Sequence, residues 1–258
     1  MKSKTLKVLL LSATAILLVI ATVLATMAYL TSSSAVSNVF TVGNVKLNMT
    51  ETKVNSNGTP VTDRTNRTDT NSYHLVPGAS YLKDPIIEVG ATSDESYLFV
   101  RVRNDLKTIE CPGYVEKDGT QHVCAHNGTC KTILEQLIAN GWQEIERAEN
   151  NVDAVFVYVG AGNVVADTGT NYDNTLLPYA TLVGNKRVDG QRVAENYEVF
   201  ENFTLASEVP GLESFGGARV AIVAYAIQAN LTGAGEKGSP EAYKNAWQYI
   251  KNELPFVV

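Results

Sequence analysis

The chain has 258 residues, 45% of them apolar and 19% charged, which suffices to bury the core of one large domain or two small ones. Its formal charge is −6; the first 28 residues hold Lys2, Lys4 and Lys7 and no acid, so the rest carries −9. An acidic body repels nucleic-acid phosphates and anionic lipid surfaces, which argues against both as partners.

Those three lysines precede an apolar run from Val8 to Leu30 broken only by Ser and Thr. A basic stretch followed by an apolar one reads as an export signal, to be excluded from the fold. The run also reaches the ~20 residues that span a bilayer, so a retained anchor is the competing reading. Thr26-Met27-Ala28 offers small residues at the two positions a signal peptidase requires, and Thr31-Ser32-Ser33-Ser34 beyond it is polar. The expected boundary is therefore Ala28/Tyr29, leaving a secreted mature chain whose only membrane contact is the signal segment before cleavage.

Beyond the signal, the dominant period is two, that of β-strands. Phe40 and Val42 alternate with polar residues, then Val45, Leu47 and Met49 do so in the opposite phase. The phase change at Gly43-Asn44 predicts a β-bulge within one strand. Tyr97 to Arg103 places Leu98, Val100 and Val102 on one face and both arginines on the other. Val152 to Val159 and Arg219 to Ala229 are apolar on both faces and predict buried central strands. Asn196 to Leu205 alternates again, and Gly160-Ala161-Gly162 reads as a turn. Asn55 to Asn71 is polar without a period and predicts a mobile loop.

Two helices are expected. Ile133, Leu134, Leu137 and Ile138 recur at helical spacing and end at Gly141; Ser239-Pro240-Glu241 is a helix start followed by Tyr243, Ala246, Trp247 and Ile250. Many short strands with two short helices predict an all-β protein, an antiparallel β-sandwich. The expected division is a signal peptide over 1–28, an N-terminal strand or tail over 29–39, and one domain over 40–258 interrupted at one edge by a Cys-containing insertion, 104–149.

Several short stretches carry a resemblance. Ala28-Tyr29-Leu30-Thr31 is followed by Asn38 to Leu47, the sequence NVFTVGNVKL. Tyr73-His74-Leu75-Val76-Pro77-Gly78 runs into Tyr81-Leu82-Lys83-Asp84-Pro85; Ala224 to Ala229 precedes Ala246-Trp247. In this order they resemble the TasA/camelysin family, exported through a dedicated type of signal peptidase. That resemblance implies a jelly-roll sandwich, secretion, and polymerisation into extracellular biofilm-matrix fibres by donor-strand exchange, with further matrix or cell-surface proteins as partners. The polymerising strand would be Tyr29 to Val39, whose apolar Tyr29, Leu30, Ala35, Val36 and Val39 are separated by small polar residues. In β-strand addition main-chain hydrogen bonds supply affinity and alternate side chains fill pockets.

The alternatives are catalytic or adhesive. Camelysin-like proteins have been classed as metalloproteases, and His122, Cys124, His126 and Cys130 are a possible zinc set. Their spacing matches no standard zinc motif, and the chain has three His and no HExxH, so no enzyme, catalytic residue, cofactor or resident metal is expected. An anchored adhesin is the third reading. In an oxidising compartment Cys111, Cys124 and Cys130 should form one disulfide, and Cys130, beside Lys131 at a helix start, is the favoured member. Asp167, Asn171 and Asp173 resemble calcium ligands but match a solvated loop better. N-x-T sequons stand at Asn48, Asn57, Asn66, Asn127, Asn202 and Asn230.

Overall fold

A computed structural model describes residues 31–111, 113–115, 121–123, 129–149, 151–165, 172, 176–209, 211–230 and 235–253; for 31–38, 40, 113–115, 121–123 and 252–253 only the backbone is described. The described chain is mostly β, in sheets dominated by antiparallel pairs, with two α-helices.

The largest sheet has six strands. From one edge they are β10 (Trp142–Arg147), β11 (Asp153–Tyr158), β7 (Ser96–Asn104), β16 (Val220–Gln228), β1 (Thr31–Val42) and β4 (Thr70–His74). Four shorter strands form a second sheet in the order β14 (Glu195–Glu198), β6 (Ile86–Val89), β2 (Leu47–Thr52) and β3 (Arg67–Thr68). Among the described residues three two-stranded ladders complete the sheets: β5 (Ser80–Leu82) with β15 (Asn202–Thr204), β8 (Gly113–Val115) with β9 (Gln121–Val123), and β12 (Arg187–Val188) with β13 (Gln191–Arg192).

The central strands β11, β7 and β16 of the large sheet are buried on both faces, which is why they carry apolar residues at successive positions. Leu98, Val100, Ile222 and Ala224 share a core with Met49, Ile87 and Val89 of the smaller sheet. The intervening Tyr97, Phe99, Tyr225 and Ile227 face the other way, against helix α2 (Pro240–Glu253) through Tyr243, Ala246, Trp247 and Ile250. The Trp247 ring packs against Phe99 and edge-on to Tyr225. Alternation within β7 is thus between two cores; Arg101 and Arg103 stand at its end, where Arg101 pairs with Asp153 of β11.

Both predicted helices are present. Helix α1 (Ile133–Ala139) opens with Thr132, whose side chain accepts from the Glu135 amide while Glu135 accepts from the Thr132 amide, a reciprocal cap that settles two orphan donors. It stops at Gly141, where φ is +90° and an added Cβ would lie 2.4 Å from the Gly160 carbonyl carbon. Only glycine satisfies both conditions.

Four sequence expectations are corrected. Gly43-Asn44 is not a bulge inside one strand: β1 ends at Val42, Gly43 takes φ +94°, and β2 starts at Leu47 in the other sheet. The inverted phase therefore marks a corner between layers. Asn55 to Asn71 is not a featureless loop, since it includes β3 and the start of β4, and Arg67 donates to the carbonyls of Thr50 (2.6 Å) and Asp84 (2.8 Å). Segment 104–149 is not peripheral. It supplies the edge strand β10, and Leu106, Ile109, Ile133, Leu137 and Trp142 lie in the main core. Asn196 to Leu205 is two short strands in separate ladders, not one.

Candidate functional site

The feature with the least ordinary topology is β1. Residues Thr31 to Ala35 pair antiparallel with His74 to Thr70 of β4. From Val36 to Val42 the strand pairs parallel with Ile222 to Ile227 of β16, through an irregularity between Val36 and Asn38. Its two halves therefore serve different neighbours. Among the described residues β1 is the only strand that ladders with β4, so it alone connects β4 to the large sheet.

β4 nevertheless has anchors that do not involve β1. The Asn71 side chain donates to the Thr52 carbonyl at 2.8 Å and accepts from the Val54 amide at 2.9 Å. The Tyr73 hydroxyl donates to the Leu82 carbonyl at 2.9 Å, and the His74 amide donates to the Ser56 carbonyl at 2.7 Å. Tyr73 is edge-on to both Tyr81 and Phe203 in a buried aromatic cluster. β4 is thus fixed to the rest of the fold by side chains and flanking backbone, while its ladder is filled by a strand at the start of the described chain. Residues that hold one edge independently of the strand occupying it form a ready acceptor for an extended segment.

Of the predicted assembly strand, Ala35, Val36 and Val39 lie in β1, and Val39 is exposed; Ala28, Tyr29 and Leu30 lie outside the described residues. The strand does not divide at Val39/Phe40 as expected but continues to Val42, and Gly43, at φ +94°, follows it. His74 is the last residue of β4.

The cysteine expectation is corrected in one respect. Cys111 is buried and disulfide-bonded, whereas Cys130 is a thiol, so Cys130 is not the half-cystine. The chain's remaining cysteine, Cys124, lies outside the described residues, as does His126; His122 falls in β9, of which only the backbone is described. Asp167, Asn171 and Asp173 also lie outside. Among the described residues no group of three or more His, Cys, Asp or Glu is placed to hold a metal ion.

Two cavities lie beside α1. One, of about 180 Å³, is bounded by Val102, Leu134, Leu137 and Phe156, with Glu110 and Lys107 among its polar residues. Burial pushes the Glu110 carboxyl up from its ordinary 4.5 to about 7, opposed by a hydrogen bond from the Ile133 amide. The folded chain thus keeps a proton that the unfolded chain releases between those two values. Stability from this group is fully present below pH 4.5 and falls as pH rises to about 7, by ~3 kcal/mol in all. Glu110→Gln should remove that slope: relative to the unsubstituted protein, the variant gains ~3 kcal/mol between pH 4 and pH 8 in denaturant titrations. Parallel profiles for the two proteins would contradict this. The second cavity, about 260 Å³ and mainly polar, is bounded by Cys130, Gln136, Asn140, Glu198 and Glu201.

Nothing in the periodicity of Thr70 to His74 announces that, among the described residues, its ladder partner is β1. Among the described residues no helix is long and apolar enough to cross a membrane. No protein-family model, curated protein or solved structure matches the chain.

Proposed function

We propose that this protein is a secreted structural subunit that polymerises into extracellular matrix fibres by exchange of β1 between copies, rather than an enzyme. The observation that carries the reading is the position of β1: an N-terminal strand that alone ladders with a separately anchored β4. When β1 turns outward at Gly43, it leaves β4 and one side of β16 open, and the β1 of a second copy restores both ladders. Each exchange reproduces the same bonds between chains, so the contact is head-to-tail and propagates as a filament instead of closing. The short motifs shared with the TasA/camelysin family support the same reading, including its jelly-roll description of the sandwich. The partner is a second copy of this chain, with other matrix or cell-surface proteins as further candidates.

Export is part of the proposal. Signal cleavage after Ala28 would start the mature chain two residues before β1, leaving the strand end unattached. Mass spectrometry of secreted protein should find Tyr29, within a residue or two, at the N-terminus; a mature form retaining Met1 to Leu30 would favour the anchored adhesin. Electron microscopy of the concentrated mature chain should show filaments. A uniformly monomeric preparation under conditions that permit strand exchange would oppose the reading.

A further inference from the structure

We propose that Glu51 and Lys83 form an intramolecular amide cross-link, made by this chain's own side chains between β2 and the residue that follows β5. The proposal is independent of the assembly reading. Lys83 Nζ lies 2.8 Å from Glu51 Oε2, and neither side chain has any exposed surface. The other carboxyl oxygen, Oε1, is buried and accepts no hydrogen bond among the described residues.

An ion pair is a poor resting state in such a place. Removing both charges from water carries a large desolvation penalty, and the pair recovers it only where the remaining lone pairs are satisfied. Here one is not. The neighbouring carboxylate, Asp84, is already engaged: it accepts from the Thr52 amide at 2.6 Å and the Thr52 hydroxyl at 2.7 Å, and Arg67 stands 3.6 Å away. Glu51 is therefore the carboxyl presented to the amine. Burial also lowers the proton affinity of Lys83, against the attraction of Glu51 and Asp84, which favours the neutral amine needed for attack.

The step balances within the pair. A proton passes from the ammonium to the carboxylate along the existing hydrogen bond, giving an amine and a carboxylic acid. The nitrogen lone pair attacks Glu51 Cδ, one bond beyond the oxygen it already contacts. The Nζ–Cδ bond forms, a Cδ–O bond breaks, and the departing oxygen leaves as water with two of the three ammonium protons. No oxidant or co-reactant is required. Fixed contact in a dry site supplies the proximity that makes such condensations fast relative to solution. The product is a neutral amide with one donor and one acceptor in place of two buried charges.

The test is an intact-mass measurement on purified mature protein after reduction of its disulfide. The expected mass is that of the sequence less one water, with tryptic digestion yielding a branched peptide that joins the Glu51 and Lys83 segments. Lys83→Met and Glu51→Ala, read by mass whether or not they fold well, should each restore the full sequence mass. A full mass for the unsubstituted chain, with a linear peptide ending at Lys83, overturns the proposal. So does a missing water that persists in Lys83→Met, because the dehydration would then lie elsewhere.

Discussion

Removal of Thr31–Val42 is expected to abolish filament formation while leaving a soluble, folded chain. The deleted strand supplies the whole ladder to β4 and one side of β16, whereas β4 keeps its anchors through Asn71, Tyr73 and His74. A backbone hydrogen bond contributes about 1 kcal/mol net, so losing even two of those between subunits weakens association by more than about tenfold. The truncated chain should sediment as a monomer and keep its β-sheet circular dichroism, and filaments should be absent by negative stain. An isolated peptide of residues 31–42 should then bind the truncated chain, because the acceptor edge is already positioned. Normal polymerisation by the truncated chain would rule out exchange through this segment. Unfolding on deletion would mean that β4 depends on β1 more than its anchors suggest.

Trp142→Ala is expected to have the largest effect on stability among single substitutions in segment 104–149. Trp142 is fully buried, its indole Nε1 donates to the Glu198 carbonyl at 2.9 Å, and its ring meets Tyr158 edge-on at 5.3 Å. Truncation leaves a large cavity and an unsatisfied carbonyl between the two sheets, a loss of ~3–5 kcal/mol. Equilibrium denaturation should place the midpoint far below that of the unsubstituted chain. A change under about 1 kcal/mol would mean that β10 is an appendage after all, as the sequence had suggested.

What could be read from the sequence depended on whether the responsible interactions were local. The two helices were legible because their signals lie within a few residues: Ile133, Leu134, Leu137 and Ile138 at helical spacing before Gly141, and Ser239 with Pro240. The buried strands β11 and β16 were legible as runs apolar on both faces. Position in the sheet was not. Trp142–Arg147 carries Gln143, Glu144, Glu146 and Arg147 with no strand-like alternation, yet Trp142 and Ile145 pack in the core while Glu146 receives Trp247 Nε1 and Lys251 Nζ from α2. The interruption of the strand pattern near Cys111 hid the fact that the chain returns to the same sheet. Likewise the Gly43-Asn44 phase change was visible, but a bulge and a corner produce the same local pattern. The acceptor edge depends on contacts between residues some forty positions apart, which no window of sequence contains.

If β1 occupies a neighbour's sheet in the filament, the register of β1 with β4 makes the exchange directly detectable. Ser33 stands opposite Ser72. Two chains are prepared, one carrying Ser33→Cys and the other Ser72→Cys, each with Cys130→Ser to remove the native thiol. Neither alone can form the new disulfide within one molecule. Mixed, polymerised and gently oxidised, they should yield disulfide-linked heterodimers that map to positions 33 and 72. Filaments that form from the mixture yet give no such bond would contradict exchange of β1.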